Sequence, residues 1–181
     1  MRVISGCARG TKLSSIESKD TRPTLDRVNI IQNRIEDSVI LDLFAGSGAI
    51  GIEFISRGAK KAYFCENSHL ASEMIRKNLI RTHFIDKAEI IEKDYKKCLL
   101  ELGNRNIKFD TIFLDPPYKK DLSATAVDLI ISLNLLKEDG LIIVETDEEK
   151  RDLEKLEKMQ VKVNDLRKYG RACLIFLSRK E

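Results

Sequence analysis

Hydrophobic and polar positions follow two alternating patterns along most of the chain. Short continuous apolar runs are typical of strands buried on both faces of a parallel sheet. They occur at Val39–Phe44, Ala62–Glu66, Ala88–Glu92, Phe109–Leu114 and Gly140–Val144. Between them, helical periodicity predicts helices at Ala49–Ser56, Ser68–Thr82, Tyr95–Leu102 and Leu122–Leu135. This alternation predicts a doubly wound, mostly parallel α/β sheet with right-handed crossovers.

The C-terminal part of the chain changes this pattern. One more amphipathic helix is predicted at Glu148–Met159, and two strands are predicted at Val161–Leu166 and Cys173–Leu177. The simplest arrangement for these two strands is an antiparallel hairpin added to the parallel sheet, which gives seven strands in total. Within Ser68–Thr82, the apolar stripe of the helix consists of Leu70, Met74, Leu79 and Ile80.

The first 35 residues form a separate piece. Short strands are predicted at Met1–Ser5 and Gly10–Leu13, a loop at Thr21–Thr24 and a helix near Asp26–Ile35. The chain has 181 residues and a net charge of +3, yet residues 1–34 alone carry seven Lys/Arg against three Asp/Glu. A basic segment ahead of a nearly neutral domain suits contact with a phosphate backbone. We therefore predict a basic RNA-contacting extension over 1–35 and a single catalytic domain over 36–181.

Cysteine and histidine usage argues against a metal site. The four cysteines, Cys7, Cys65, Cys98 and Cys173, are scattered without a C-x-x-C pair, and the chain has only two histidines. No apolar stretch approaches the ~20 residues that span a bilayer. We expect a cytoplasmic protein in a reducing compartment, with no metal and no membrane contact.

A glycine-rich turn follows the first predicted strand. Residues Asp42–Gly51 include G-x-G-x-x-G, in which Gly46 and Gly48 permit a sharp turn and the next helix presents its N-terminus to a ligand. Glu66, at the end of the second strand, is placed to accept from ribose hydroxyls. A nicotinamide enzyme also needs such an acid, but it would further need a second mononucleotide-binding half and hydride chemistry, for which this short chain offers no obvious residues.

S-adenosylmethionine fits the sequence better than a nicotinamide cofactor. Asp94 follows the third strand, where a carboxylate can accept from an adenine amine. Asp42 is placed either to meet the methionine ammonium or only to orient the turn.

A second motif, Asp115-Pro116-Pro117-Tyr118, follows the strand Phe109–Leu114. Consecutive prolines lack N–H groups and hold the backbone extended, so their carbonyls are free to accept from a substrate NH₂. An acid before them and an aromatic ring after them complete a slot for a flat base. Behind a nucleotide-type glycine loop, this motif indicates methyl transfer onto a planar exocyclic amine.

These motifs, together with Met1–Gly6, Arg9-Gly10, Thr21–Thr24 and Asp26–Val28, resemble the RsmD family of bacterial guanine-N2 methyltransferases of 16S ribosomal RNA. The resemblance implies the seven-stranded class I fold of S-adenosylmethionine-dependent methyltransferases, and a monomer acting on 16S RNA within a small subunit or its assembly intermediate. The implied cofactor residues are Asp42, Phe44, Ala45, Gly46, Gly48, Glu66, Asn67 and Asp94. The implied catalytic residues are Asp115, Pro116, Pro117 and Tyr118, and the expected RNA-binding residues are Arg2, Arg9, Lys12, Arg22 and Arg27.

The sequence departs from the family pattern after Val28, where the family helix is longer by about five residues, nearly one and a half turns. Two enzyme alternatives also use a Pro-Pro-Tyr slot, a DNA adenine-N6 and a protein glutamine-N5 methyltransferase. The absence of a sizeable target-recognition domain lowers the first, and Asp115 in place of Asn lowers the second. The alternative from another class is an RNA-binding ribosome-assembly factor without catalysis.

Overall fold

The computed structural model describes residues 1–15, 35–117 and 122–180. The strands are β1 (Val39–Asp42), β2 (Lys61–Glu66), β3 (Ala88–Glu92), β4 (Phe109–Leu114), β5 (Leu136–Thr146), β6 (Val161–Tyr169) and β7 (Ala172–Arg179). The helices in the described ranges are α1 (Ala49–Ser56), α2 (His69–Arg81), α3 (Tyr95–Asn104), α4 (Ser123–Ser132) and α5 (Glu149–Leu156), with a 3₁₀ turn at Ile85–Lys87.

The strands form one seven-stranded sheet in the order β3-β2-β1-β4-β5-β7-β6. Strand β1 pairs with β2, β2 with β3 and β4 with β5 in parallel, whereas β7 pairs antiparallel with both β5 and β6. The predicted fold class, a mostly parallel sheet with a C-terminal antiparallel hairpin, is confirmed.

The chain divides into two compact units, Met1–Asp94 and Tyr95–Glu181. In the first unit, Ile40 and Leu41 of β1 and Phe64 of β2 are completely buried. Burial of both faces explains why these strands read as continuous apolar runs. The parallel register places Asp42 opposite Phe64 and Glu66 opposite Glu92, so acidic residues occupy the carboxyl ends of all three strands.

Helix α2 corrects one sequence expectation. Of the predicted apolar stripe, Leu79 is completely buried, but Leu70 and Ile80 are 78% and 58% exposed. Ile75 and Asn78, which lie outside that predicted stripe, are completely buried. The buried face of the helix therefore includes a polar residue, Asn78, which a search for apolar periodicity leaves out. Ser68 caps the helix by accepting from the Ala71 amide, and the helix ends before His83, which adopts a positive φ of 61°.

The second unit contains the other four strands. Strand β5 is longer than predicted. Its pairing with β4 shifts register between Phe109 and Thr111, and the exposed polar residues early in β5 lie opposite this shift. Strands β6 and β7 also run further than predicted, and only Gly170 and Arg171 separate them. Gly170 has a φ of 62°, a left-handed conformation that suits this tight turn.

The predicted N-terminal strands reduce to one antiparallel bridge between Arg2 and Lys12. The predicted loop Thr21–Thr24 and all of the predicted helix Asp26–Ile35 except Ile35 lie outside the described residues. Within the described ranges, no helix combines the length and apolar character needed to cross a membrane.

Candidate active site

The glycine loop joins β1 to α1, and backbone hydrogen bonds fix its conformation. The Ala45 amide donates to the Cys65 carbonyl of β2 (3.0 Å), and the Gly48 amide donates to the Ala45 carbonyl (2.7 Å). Gly46 and Gly48 have φ angles of 54° and 76°, which side-chain-bearing residues rarely adopt. A Cβ at Gly48 would lie 3.1 Å from Ile75 of α2, whereas one at Gly46 would meet no atom of the described residues within 4 Å. The loop is therefore tightly packed behind Gly48 and open at Gly46, where a ligand can approach.

Glu66 lies against this loop. Its Oε2 accepts from the Gly46 amide (2.8 Å), and its Oε1 accepts from the Ser68 amide (2.9 Å) at the start of α2. The side chain remains half-buried at the carboxyl end of β2. Each carboxylate oxygen has capacity for a second hydrogen bond, so Glu66 can still accept from vicinal ribose hydroxyls while it holds the loop.

Asp42 is buried, with 2% exposure. Its Oδ2 accepts from the Gly51 amide in the first part of α1 (3.1 Å). Burial raises the pKa of the Asp42 carboxyl from 3.8 to about 7, with the Gly51 hydrogen bond opposing this and the nearby Glu66 charge adding to it. Asp42 thus orients the start of α1, and its contact with a methionine ammonium stays a prediction.

The remaining cofactor candidates differ in exposure. Phe44 is half-buried, Ala45 is buried, and both Asn67 and Asp94 are exposed. Asp94 lies two residues beyond the end of β3. The last residue of that strand, Glu92, places its Oε1 3.0 Å from Nδ1 of His69. The first unit therefore brings Asp42, Gly46, Gly48 and Glu66 together around one loop, while an adenine contact of Asp94 stays a prediction.

The Asp-Pro-Pro motif belongs to the second unit and directly follows β4. Asp115 is half-buried, Pro116 is buried and Pro117 is exposed. Pairing of β4 with β5 stops at Leu114 opposite Val144, as expected where prolines cannot donate to a ladder. Tyr118 lies outside the described residues.

Three of the five predicted RNA-binding residues can be placed. Arg2, Arg9 and Lys12 are all exposed on the N-terminal segment, which we define as residues 1–15. Arg22 and Arg27 lie outside the described residues. Exposure is what phosphate contact requires, but RNA binding by these side chains stays a prediction.

A family model described as conserved hypothetical protein 95 matches residues 1–178. The chain belongs to this family, the RsmD family. A Haemophilus influenzae relative named ribosomal RNA small subunit methyltransferase D is 38% identical over 156 residues, which cover 83% of this chain and 80% of the relative. The Escherichia coli relative of the same name is 34% identical over 154 residues, 82% of this chain and 76% of the relative.

A solved structure described as "Putative methyltransferase yhhF from Escherichia coli" has the same fold, with a TM-score of 0.84 and 26% identity over 99% of this chain and 98% of that one. Membership in the RsmD family makes this chain an enzyme with the class I methyltransferase fold. It decides against the assembly factor without catalysis. The described residues contain no group of three or more His, Cys, Asp or Glu side chains that could hold a metal ion.

The structure of this RsmD-family chain also contains polar residues that the sequence reasoning missed. Glu53 and Ser56 of α1 and Asn78 of α2 are buried, and each binds the backbone of the N-terminal segment. The Ile4 and Ser5 amides donate to Glu53, and the Ala8 amide donates to the Ser56 hydroxyl. A signal was available, because a glutamate in the otherwise apolar helix Ala49–Ser56 is unexpected unless it has partners.

Proposed function

We propose that this chain transfers a methyl group from S-adenosylmethionine to the exocyclic N2 amine of a guanine in 16S ribosomal RNA. Membership in the RsmD family carries the coarser statement, an S-adenosylmethionine-dependent ribosomal RNA methyltransferase. The relatives from Haemophilus influenzae and Escherichia coli are named for the small subunit, which supports 16S RNA as the substrate. The proposed setting is a small subunit or its assembly intermediate in the cytoplasm, with the enzyme acting as a monomer.

The observation that carries the choice of an exocyclic amine is the acid-Pro-Pro motif at the end of β4. Guanine N2 is a weak nucleophile because its lone pair is delocalised into the ring. When the half-buried Asp115 carboxylate and the Pro116 carbonyl accept the two amine hydrogens, the lone pair turns toward the sulfonium methyl. Tyr118 then stacks on the base and fixes its plane.

The proposed cofactor residues contact different parts of S-adenosylmethionine. Gly46, Gly48, Phe44 and Ala45 form the loop under the cofactor, and Glu66 accepts from its ribose with Asn67 beside it. Asp94 accepts from the adenine amine. Asp42 in its ionised form attracts the methionine ammonium.

Alignment supplies most of the proposed catalysis. The amine nitrogen displaces the sulfonium methyl in line: a C–N bond forms, the C–S bond breaks and S-adenosylhomocysteine leaves. Holding the two reactants in this geometry can lower the barrier by as much as ~7–11 kcal/mol. The methylated nitrogen then sheds one proton to Asp115 or to water. No covalent enzyme intermediate is needed.

The target guanine has to leave its stack to enter the slot. Unstacking costs a few kcal/mol in a duplex and less in a loop, so an RNA loop is the favoured target. In the proposed complex, five basic side chains bind the RNA backbone near the target RNA loop: Arg2, Arg9, Lys12, Arg22 and Arg27. Phosphate contacts of this kind fix position and leave the choice of base to the slot.

The proposal is tested by substitution of Asp115. In single-turnover assays on small subunits that lack the modification, Asp115→Ala should lower the rate of methyl transfer at least about 100-fold and leave cofactor affinity nearly unchanged. Asp115→Asn should keep part of the rate if an accepting oxygen suffices, and should match alanine if negative charge is essential.

The matched control is Asp110→Ala. Asp110 lies at the other end of β4 and pairs with Lys137 at the surface (2.8 Å), so its loss should leave the rate unchanged. Full activity in a stably folded Asp115→Ala protein would contradict the mechanism.

A further inference from the structure

Asn78 uses its whole amide to join two separate stretches of backbone. It lies in α2 and is completely buried. Its Oδ1 accepts from the Ser14 amide (2.8 Å), and its Nδ2 donates to the carbonyls of both Ser14 and Ser47 (2.9 Å each). Asparagine is a poor helix former, so these tertiary bonds are the physical reason for its place in the helix.

On one side, Asn78 fixes the cofactor loop. The Ser47 carbonyl and the Gly48 amide belong to the same peptide unit. Asn78 binds that carbonyl, and the Ala45 carbonyl accepts from that amide (2.7 Å). The peptide cannot rotate without breaking one of the two bonds. The Gly46 amide, two residues before Gly48, is held in turn by Glu66, so two of the loop's amides are fixed before a ligand arrives.

On the other side, Asn78 fixes the end of the N-terminal segment. Both backbone polar groups of Ser14 are bonded to its amide, and Arg81, one turn later in α2, donates to the Lys12 carbonyl (3.0 Å). The segment also touches α1, where a Cβ on Gly6 would lie 1.8 Å from the Ser56 carbonyl oxygen. Undocking the segment would leave the buried Asn78 amide with only its Ser47 bond among these three.

We propose that Asn78 is a positioning residue that couples the N-terminal segment to the cofactor loop. The loop keeps its binding geometry while the segment is docked, and cofactor binding in turn holds the segment in place. The coupling is reciprocal by thermodynamic linkage, because each event orders backbone that the other needs. The proposal rests on the proposed function: because Arg2, Arg9 and Lys12 lie on the segment, RNA bound there strengthens cofactor binding.

The test uses S-adenosylhomocysteine as the probe and compares the wild-type protein with Asn78→Ala. Calorimetry should give about three- to tenfold weaker affinity for the variant, the loss expected when one net hydrogen bond no longer preorganises the loop. Hydrogen exchange should reveal the coupling itself. In the wild type, S-adenosylhomocysteine should slow amide exchange in residues 43–51 and also in residues 1–15, whereas in Asn78→Ala the second effect should vanish.

The matched control is Thr82→Val. Thr82 is the buried residue that directly follows α2, and among the described residues its hydroxyl donates to the helix carbonyls of Asn78 and Leu79. It should lower stability without changing affinity for S-adenosylhomocysteine or the protection of residues 1–15. A purely structural role for Asn78 predicts that the two variants behave alike.

The possible failures are distinguishable. If the wild type does not bind S-adenosylhomocysteine, the proposed function is wrong. If the wild type binds it and residues 1–15 gain no protection, the coupling is wrong, and this result does not depend on whether any variant folds. Equal affinity and equal protection in a folded Asn78→Ala protein would also overturn the coupling and leave the proposed function standing.

Discussion

Two glutamates in the first unit use the same chemistry in different surroundings. Glu53 accepts from the Ile4 and Ser5 amides (2.9 and 3.0 Å), and Glu66 accepts from the Gly46 and Ser68 amides (2.8 and 2.9 Å). Glu53 is completely buried and also binds the Arg57 side chain (2.7 Å), whereas Glu66 is half-buried. A carboxylate that accepts from two backbone amides can therefore either stabilise the fold from a buried position or remain accessible to accept from a ligand as well.

Exposure decides between these two roles. At Glu53 the carboxylate is completely buried against Arg57 and the N-terminal segment, so its removal takes a partner from a buried guanidinium and from two part-buried amides. At Glu66 water can replace the carboxylate, so the folded protein loses little. We expect Glu53 to matter for stability and Glu66 for cofactor binding.

The largest effect is expected from Glu53→Ala. Loss of one partner of a buried ion pair typically lowers the free energy of unfolding by about 3–5 kcal/mol. The control is Glu101→Ala, which breaks the Arg105–Glu101 pair of the same i,i+4 spacing at the surface of the second unit and should cost less than about 1 kcal/mol. Denaturant unfolding of both variants checks the difference, and equal losses would remove the basis of the comparison.

Asp42 sharpens the comparison, because it is buried like Glu53 yet lies at the loop like Glu66. Its pKa of about 7 means that the folded protein keeps a proton between about pH 4 and 7 that the unfolded chain releases. The free energy of unfolding should therefore fall as pH rises through this window, by up to about 4 kcal/mol, and level off above it. Asp42→Asn, which keeps an acceptor for Gly51, should flatten this dependence in unfolding experiments at pH 5 and pH 8.

The same titration should appear in cofactor binding. If ionised Asp42 attracts the methionine ammonium, affinity for S-adenosylmethionine should rise as pH increases through about 7, and Asp42→Asn should abolish that rise. A pH-dependent affinity that persists in Asp42→Asn would assign the ammonium contact to another group.

An effect confined to binding, with no large change in stability, is expected from Glu66→Ala. It should lose ribose hydrogen bonds worth roughly 1.5–3 kcal/mol each, with little change in unfolding. Glu92→Ala is the control, since Glu92 stands opposite Glu66 in the sheet register and is exposed. Calorimetry should find weaker binding only for Glu66→Ala, and unchanged affinity in that variant would count against the ribose assignment.

The smallest effect concerns the exposed charges of the docked segment. Arg9→Ala should weaken RNA binding and lower the slope of log affinity against log salt by about 1, while stability and cofactor affinity stay constant. Arg171→Ala, at the exposed turn between β6 and β7, serves as control and should not change the slope. A slope that responds to Arg171 and not to Arg9 would move the RNA footprint away from the N-terminal segment.

Much of the fold could be predicted from the sequence because local pattern and burial agree there. The predicted bounds of β3, β4 and α1 match the structure, since each is a mainly apolar segment bounded by polar or glycine residues. The pairing of Gly46 with Glu66 was also within reach, because a βαβ unit brings the loop and the next strand end together.

The rest depended on contacts distant in sequence. Glu53 and Asn78 are buried polar residues that interrupt the apolar patterns of α1 and α2. For α2, apolar periodicity alone therefore predicts a buried face that includes Leu70 and Ile80, which are exposed. The partners of Glu53 and Asn78 lie 49 and 64 residues away in the chain, at Ile4 and Ser14. A buried polar group satisfied by a distant backbone leaves no local signal beyond its unexpected position.

The most direct test of the central claim is to map N2-methylguanine in 16S ribosomal RNA from cells with and without this protein. We predict that one such modification disappears in its absence, returns with the wild-type protein and does not return with Asp115→Ala. Retention of every N2-methylguanine in the cells that lack the protein would contradict the account.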